Sequence, residues 1–285
     1  MRGPFNLFVG ADLYFAGTTP AMPSSDVASN FFFDDSYKQV SITIISATGA
    51  GSLSFGAGTL EMWVIGGGAA EGNDGVTKTW TGGGGAYSST THTLTGPTTA
   101  YYSNGAGATG VSGSNGSPGG DSWANIVSNA APTLTSQGSL AKGGVNGTTS
   151  GAGAGGAAGS GVGTIKYSGG AGSAYDIALG PNSGGNYALP GGGGAAGYSG
   201  DGNDGRAYYG GSNKSPGGPG GYGAIVNSTL TADLVVATAG VQPGGAGGYG
   251  AISGVVNGAA GVVVFKFTAA DPVTGGARFT TYILW

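Results

Sequence analysis

The sequence predicts an all-β protein: an antiparallel β-sandwich-like scaffold with packed glycine-rich segments of polyglycine II type, long loops and almost no helix. Three observations carry this. The apolar stretch 60–65, LEMWVI, runs directly into Gly66-Gly67-Gly68, and after a decorated interruption a second run, 82–85, opens the next strand at Ala86-Tyr87. Glycine supplies 67 of 285 residues, against a background of about 7%. Between the glycine runs lie short stretches that alternate apolar and polar residues, as half-buried strands do.

Such glycine content reads as order. Disordered chains are rich in charge and proline and poor in aromatics, whereas here aromatics are 10%, hydrophobics 39% and charged residues only 8%. Fixing a glycine costs roughly 0.5–1 kcal/mol more than fixing alanine, so the missing side chain must let backbones pack against backbones. No Gly-X-Y period persists, which excludes collagen. The nine Lys/Arg are scattered and the net charge is -4, so no basic stripe for nucleic acid exists. There is no cysteine, which removes disulfides and thiolate chemistry. The apolar runs fall far short of the roughly 20 residues of a membrane helix, so no membrane insertion is expected. Gly10 and Asp12 interrupt the N-terminal apolar run, and no signal peptide is read.

Along the chain, residues 1–36 form an N-terminal region dense in Phe5, Phe8, Tyr14, Phe15 and the triplet Phe31-Phe32-Phe33. An apolar patch of this kind marks an attachment or oligomerisation segment, or caps the domain that follows. A glycine-rich β domain is expected over 37–270. In 38–46, KQVSITIIS, Val40, Ile42 and Ile44 alternate with polar partners and are expected to face the core. Stretch 60–65 carries apolar residues on both faces and reads as a central strand. Stretch 87–95, YSSTTHTLT, reads as a more exposed strand, and Tyr101-Tyr102 begins a short one. Beyond residue 104 the pattern is short apolar islands between glycine segments. An isolated polyglycine helix leaves every N–H and C=O unpaired, but several side by side can bond to one another. The chain closes with strand 261–268, GVVVFKFT, and a C-terminal docked tail, 271–285, ending FTTYILW.

The ordered series EMWVIGGG, GGGGAYSSTTHTLTG, YYSNGAGATG, GSPGGDSW, LAKGGVNG and GGYGAISGVVNGAAGVVVFKF resembles the glycine-rich domain of tailed-bacteriophage fibre and adhesin proteins. It departs from that pattern in the interruption 71–80 and in a shortened β stretch near Tyr101. The resemblance implies glycine helices forming a rigid sandwich, with variable loops touching the host receptor. It implies a virion protein assembled in the host cytoplasm, with other virion proteins and a bacterial surface glycan or outer-membrane protein as partners, and a homotrimer by analogy with fibres. A capsid decoration protein or head fibre is the alternative, and an ice-binding or cell-surface glycine-rich protein a second one.

Classical chemistry is missing. His92 is the only histidine, on a Thr-rich strand without a nucleophile context, and reads as a solvent-facing strand residue. The glycine runs lack the Lys-Ser/Thr ending of a phosphate loop. The repeated EGNDG and DGNDG stretches would offer Asp74, Asp201 and Asp204 to calcium, but tandem copies are absent and Asn-Asp-Gly is an ordinary turn. No metal, cofactor or catalytic residue is therefore assigned, and the protein reads as non-enzymatic. The receptor-contact candidates are aromatic and basic residues between glycine runs: Trp80, Tyr175, Tyr187, Tyr198, Tyr208, Tyr209 and Arg206. Tyr and Trp combine rigid contact area with a polar handle. The opposing reading is that these rings cover bare glycine surface.

Overall fold

A computed structural model describes residues 27–33, 39–73, 78–110, 114–148, 150–176, 187–188, 192–205, 225–226, 244–246 and 257–270. These form an all-β fold whose only helical element is a 3-10 turn at Ala158–Ser160. No helix among the described residues is long and apolar enough to cross a membrane.

Strands β1 (Val27–Phe33), β2 (Gln39–Ile45), β3 (Gly49–Phe55) and β4 (Gly58–Ile65) open the fold, followed by the short β5 (Gly72–Asn73) and β6 (Lys78–Trp80). Then come β7 (Tyr87–Leu94), β8 (Thr98–Asn104), β9 (Ser122–Asn125), β10 (Gly138–Ala141), β11 (Ile165–Tyr167), β12 (Ala174–Asp176), β13 (Tyr187–Ala188), β14 (Ile225–Val226) and β15 (Val262–Ala269). A six-stranded sheet, β1-β2-β15-β4-β7-β11, faces a four-stranded one, β10-β9-β8-β3. All their pairings are antiparallel. Strand β10 packs over β7 and β4, β9 over β4 and β15, and β8 over β15.

Alternation builds the core. Leu60, Met62 and Val64 of β4 and Val263 and Phe265 of β15 are buried on one face with Ile45 and Leu94. The opposing sheet contributes the small Ala100, Ala124 and Ala141, with Leu53, Phe55 and Tyr102 packed at the margin. Phe55 stacks obliquely on Phe265 and Phe267, at centroid distances of 5.6 and 5.4 Å. Across the outer face, Lys266 Nζ meets Glu61 Oε1 at 2.7 Å on directly opposed positions.

Some expectations are corrected. In β2 Val40 is buried as expected, but further along the strand Thr43 and Ile45 are buried while Ile44 is exposed. Two consecutive isoleucines allow either phase, and pairing of Ile45 with Val263 decides it. The first half of β7, Tyr87 through Thr90, is buried rather than exposed. Its hydroxyls are satisfied: Thr90 Oγ1 lies 2.8 Å from Ser139 Oγ, and Ser88 Oγ donates to the Val162 carbonyl. His92 is not a free surface residue, since its Nε2 is buried without a hydrogen-bond partner and burial lowers its pKa. Strand β8 is a full seven residues long, not shortened. The segment expected to stand apart, 1–36, contributes residues 27–33 to the sheet as edge strand β1. Residues 1–26, with Phe5, Phe8, Tyr14 and Phe15, and the tail 271–285 lie outside the described residues.

Candidate functional site

The glycine segments leave the sandwich from the ends of β4, β8, β10 and β11 and return into β7, β9 and β15. Their bonding follows the three-residue period of polyglycine II. In segment 66–71, Gly66 and Ala69 donate to Ala86 and Gly83, at 3.0 Å each. Gly67 and Ala70 donate to Gly120 and Ser117, at 2.8 and 3.0 Å, and Gly68 donates to Ala259 at 2.9 Å. Each successive N–H thus points to a different neighbour, and the carbonyls of Gly67, Gly68 and Ala70 accept from Gly144, Ala108 and Gly147. Segment 81–86 does the same, donating to 142–147, 168–173 and Gly244 and accepting from 66–71, 153–156 and 193–196.

Segments 66–71 and 81–86 therefore sit side by side at the centre of a three-layered bundle. One flanking layer is 116–120, 142–147 and 153–156, and the other is 258–261, 244–246, 193–196 and 202–205. Segments 105–108 and 168–173 close the middle layer. Glycine is required by proximity: a Cβ at Gly67 would fall on the Ala106 carbonyl and one at Gly84 on the Gly194 carbonyl. The Gly-Gly-Asp-Ser stretch 119–122 ties bundle to sandwich. Asp121 Oδ1 accepts from Gly143 N at 3.0 Å, and its other oxygen pairs with Lys142. Ser122 Oγ accepts from Gly105 N at 2.9 Å and donates to Asn104 Oδ1 at 3.2 Å.

At the end away from the sandwich lie residues 72–73 and 78–80, 109–110 and 114–115, and 148 and 150–152, which continue the bundle segments. Strand β12 pairs with β6, placing Tyr175 opposite Thr79, and β6 pairs with β5. Tyr187 lies on β13, paired with Val226 of β14, within the connection from 168–173 to 193–196. Tyr175 and Tyr187 are thus on connections at the distal end. Trp80 is not a surface contact: it is 7% exposed, and its carbonyl lies against Gly147. Tyr198 is 80% exposed but sits at the opposite end of the bundle. It lies in the turn closed by Gly197 N to Gly200 O at 3.1 Å, beside Ser168 at the end of β11. Arg206, Tyr208 and Tyr209 lie outside the described residues.

The acidic candidates have structural roles. Asp201 Oδ1 and Asp204 Oδ1 accept from Ser168 N and Ala171 N, each at 2.7 Å, while Gly202 and Gly205 donate to the Ser168 and Ala171 carbonyls. The two carboxylates thus bond backbone N–H groups at the rim of the bundle, and no group of acidic or histidine ligands gathers among the described residues. Asp74 lies outside them.

Sequence reading missed two features. Glu71, at the distal end of the central segment, is fully buried with both carboxylate oxygens unpartnered. Desolvation raises its pKa from 4.5 to about 8, so it is neutral below that pH. Its signal was a lone acid directly after the apolar Ala69-Ala70. The other is the β9–β10 loop at the end opposite the distal connections. It is held by Asn125, whose Oδ1 accepts from Val127 N at 2.7 Å, and by Gln137, whose Oε1 accepts from Thr133 N at 2.8 Å. It leaves Val127 and Leu134 63% and 60% exposed.

No family model matches the chain, and no curated protein matches its sequence.

Proposed function

We propose that the protein is a non-enzymatic virion structural protein, a bacteriophage tail-fibre or tip adhesin that contacts the host surface through the distal loops of its glycine bundle. The supporting observation is the enclosure of segments 66–71 and 81–86 by bonded neighbours. A loop mounted on such a lattice loses little conformational freedom on binding, which favours affinity. The distal connections carry Tyr175 and Tyr187, residue types suited to sugar faces or protein loops. The partners in this reading are other virion proteins and a bacterial surface glycan or outer-membrane protein.

Immunogold labelling of intact virions tests it. Label at the tail tip is expected. Label on the capsid would overturn the adhesin reading in favour of a decoration protein or head fibre. Purified protein should also block phage adsorption at saturating dose.

A further inference from the structure

The outer face of the six-stranded sheet is not built like a solvent face. Leu60, Met62 and Val64 of β4 belong to the core, so Glu61, Trp63 and Ile65 lie on the opposite side of the pleat. Strand pairing extends these positions into rows across the sheet. Trp63 lies beside Val264 and Ser89, Val264 beside Ile44, and Ser89 beside Ile165. One row therefore runs Ile44, Val264, Trp63, Ser89, Ile165 over β2, β15, β4, β7 and β11. Its end residues, Ile44 and Ile165, are 38% and 48% exposed. A sheet with one solvated face alternates apolar and polar residues, whereas β4 and β15 carry apolar residues on both faces.

The row nearer the bundle is closed over within the chain. Tyr87 and Val262 are buried there, and Gly244 packs against Ile65. The row on the other side of Trp63 runs Ile42, Lys266, Glu61, Thr91. Lys266 and Glu61 bond to each other at 2.7 Å and are both partly exposed. They are the only charged residues at the outward positions of these five strands.

An open apolar row of this extent marks a contact surface, and its size and charge fit a second copy of the chain. From the Trp63 row to the end of the sheet away from the bundle, the face measures about 24 Å by about 20 Å at standard strand dimensions. Two copies stacked there cover about 1,000 Å² together, the size at which a specific contact begins. The charges are self-complementary. About a two-fold axis running along the strands between β15 and β4, Lys266 of each copy faces Glu61 of the other, and Val264 faces Trp63. Each ion pair then gains a further opposite charge as it leaves water, which an ion pair moved into an interface requires. The row is aliphatic apart from Trp63 and Ser89, a composition suited to sheet-on-sheet packing.

We infer that this face is a two-fold interface between copies of the chain. Two six-stranded sheets stack through the Trp63 row, and their Glu61–Lys266 pairs join into one four-charge cluster.

Analytical ultracentrifugation of the full chain is expected to show a dimer. Ile44→Lys and Ile165→Lys, both at exposed positions, should weaken it by about 10-fold or more with the circular dichroism spectrum unchanged. Glu61→Lys and Lys266→Glu each set like charges against one another across the axis, so each variant alone should be monomeric. An equimolar mixture of the two restores the match and should dimerise, which also shows that both variants fold. A full chain that is monomeric or trimeric would overturn the inference, as would a dimer left intact by the Ile44 and Ile165 substitutions. A mixture of the two charge variants that stays monomeric while both keep the unaltered spectrum would overturn it too.

Discussion

The amide of Ala69 donates to the Gly83 carbonyl at 3.0 Å, joining the two glycine segments that flank the 72–80 loop. Three residues of period earlier, Gly66 makes the equivalent bond to Ala86. The loop between them is anchored on both legs, and each leg is enclosed by further bonded segments.

Close approach makes the central glycines intolerant. Gly84→Ala would drive its Cβ onto the Gly194 backbone, and a loss of about 1–3 kcal/mol or more is expected. Gly96→Ala meets nothing within 4 Å and should change stability by less than about 1 kcal/mol. Urea unfolding of both variants checks the contrast.

Glu71 gives stability a pH slope. The folded state holds the proton up to about pH 8, while the unfolded side chain releases it near 4.5. The folded state therefore binds more protons within that window, and stability falls as pH rises through it, by at most about 5 kcal/mol. His92, whose pKa is lowered from 6.5, acts in the opposite sense, costing stability as pH falls below that value. The Glu71 slope is therefore cleanest between neutral pH and about 8. Glu71→Gln should flatten it in denaturation midpoints collected across the window.

The junction of bundle and sandwich depends on one hydroxyl. Ser122→Ala removes the acceptor of Gly105 N and the donor to Asn104 Oδ1. Leaving a buried N–H unpaired costs about 1–3 kcal/mol, expected as a lowered thermal midpoint. Ser114→Ala, on an exposed loop, should leave that midpoint unchanged.

Loop chemistry separates the aromatic residues. Tyr175→Ala and Tyr187→Ala are expected to weaken adsorption blocking by at least 10-fold with the fold retained. Tyr198→Ala, at the other end of the bundle, should block like the unaltered protein. Trp80→Ala should lower stability, because its ring is buried. Competition assays paired with thermal unfolding distinguish these outcomes.

Much of the architecture was legible. The apolar-strand-to-glycine sequence located β4, β7 and the two central segments, and the valine run located β15, because those patterns are local. The burial phase of β2 was not legible, since Ile44 and Ile45 satisfy either face until Val263 fixes the register. The place of Tyr198 was equally hidden. Only the bonds of Ser168 with Asp201 and Gly202 put its turn beside the sandwich rather than at the distal loops. The acidic stretch at 201–205 resembled a turn in sequence, because its role as backbone acceptor depends on a segment 33 residues away.

Residue-resolved amide exchange tests the bonded glycine lattice most directly. The amides of Gly67, Gly68, Ala69, Gly84 and Gly85 are expected to be protected as strongly as those of Met62 and Val64 in β4. Rapid exchange in these glycine segments while β4 and β15 remain protected would contradict the lattice and the rigid mounting of the distal loops that rests on it.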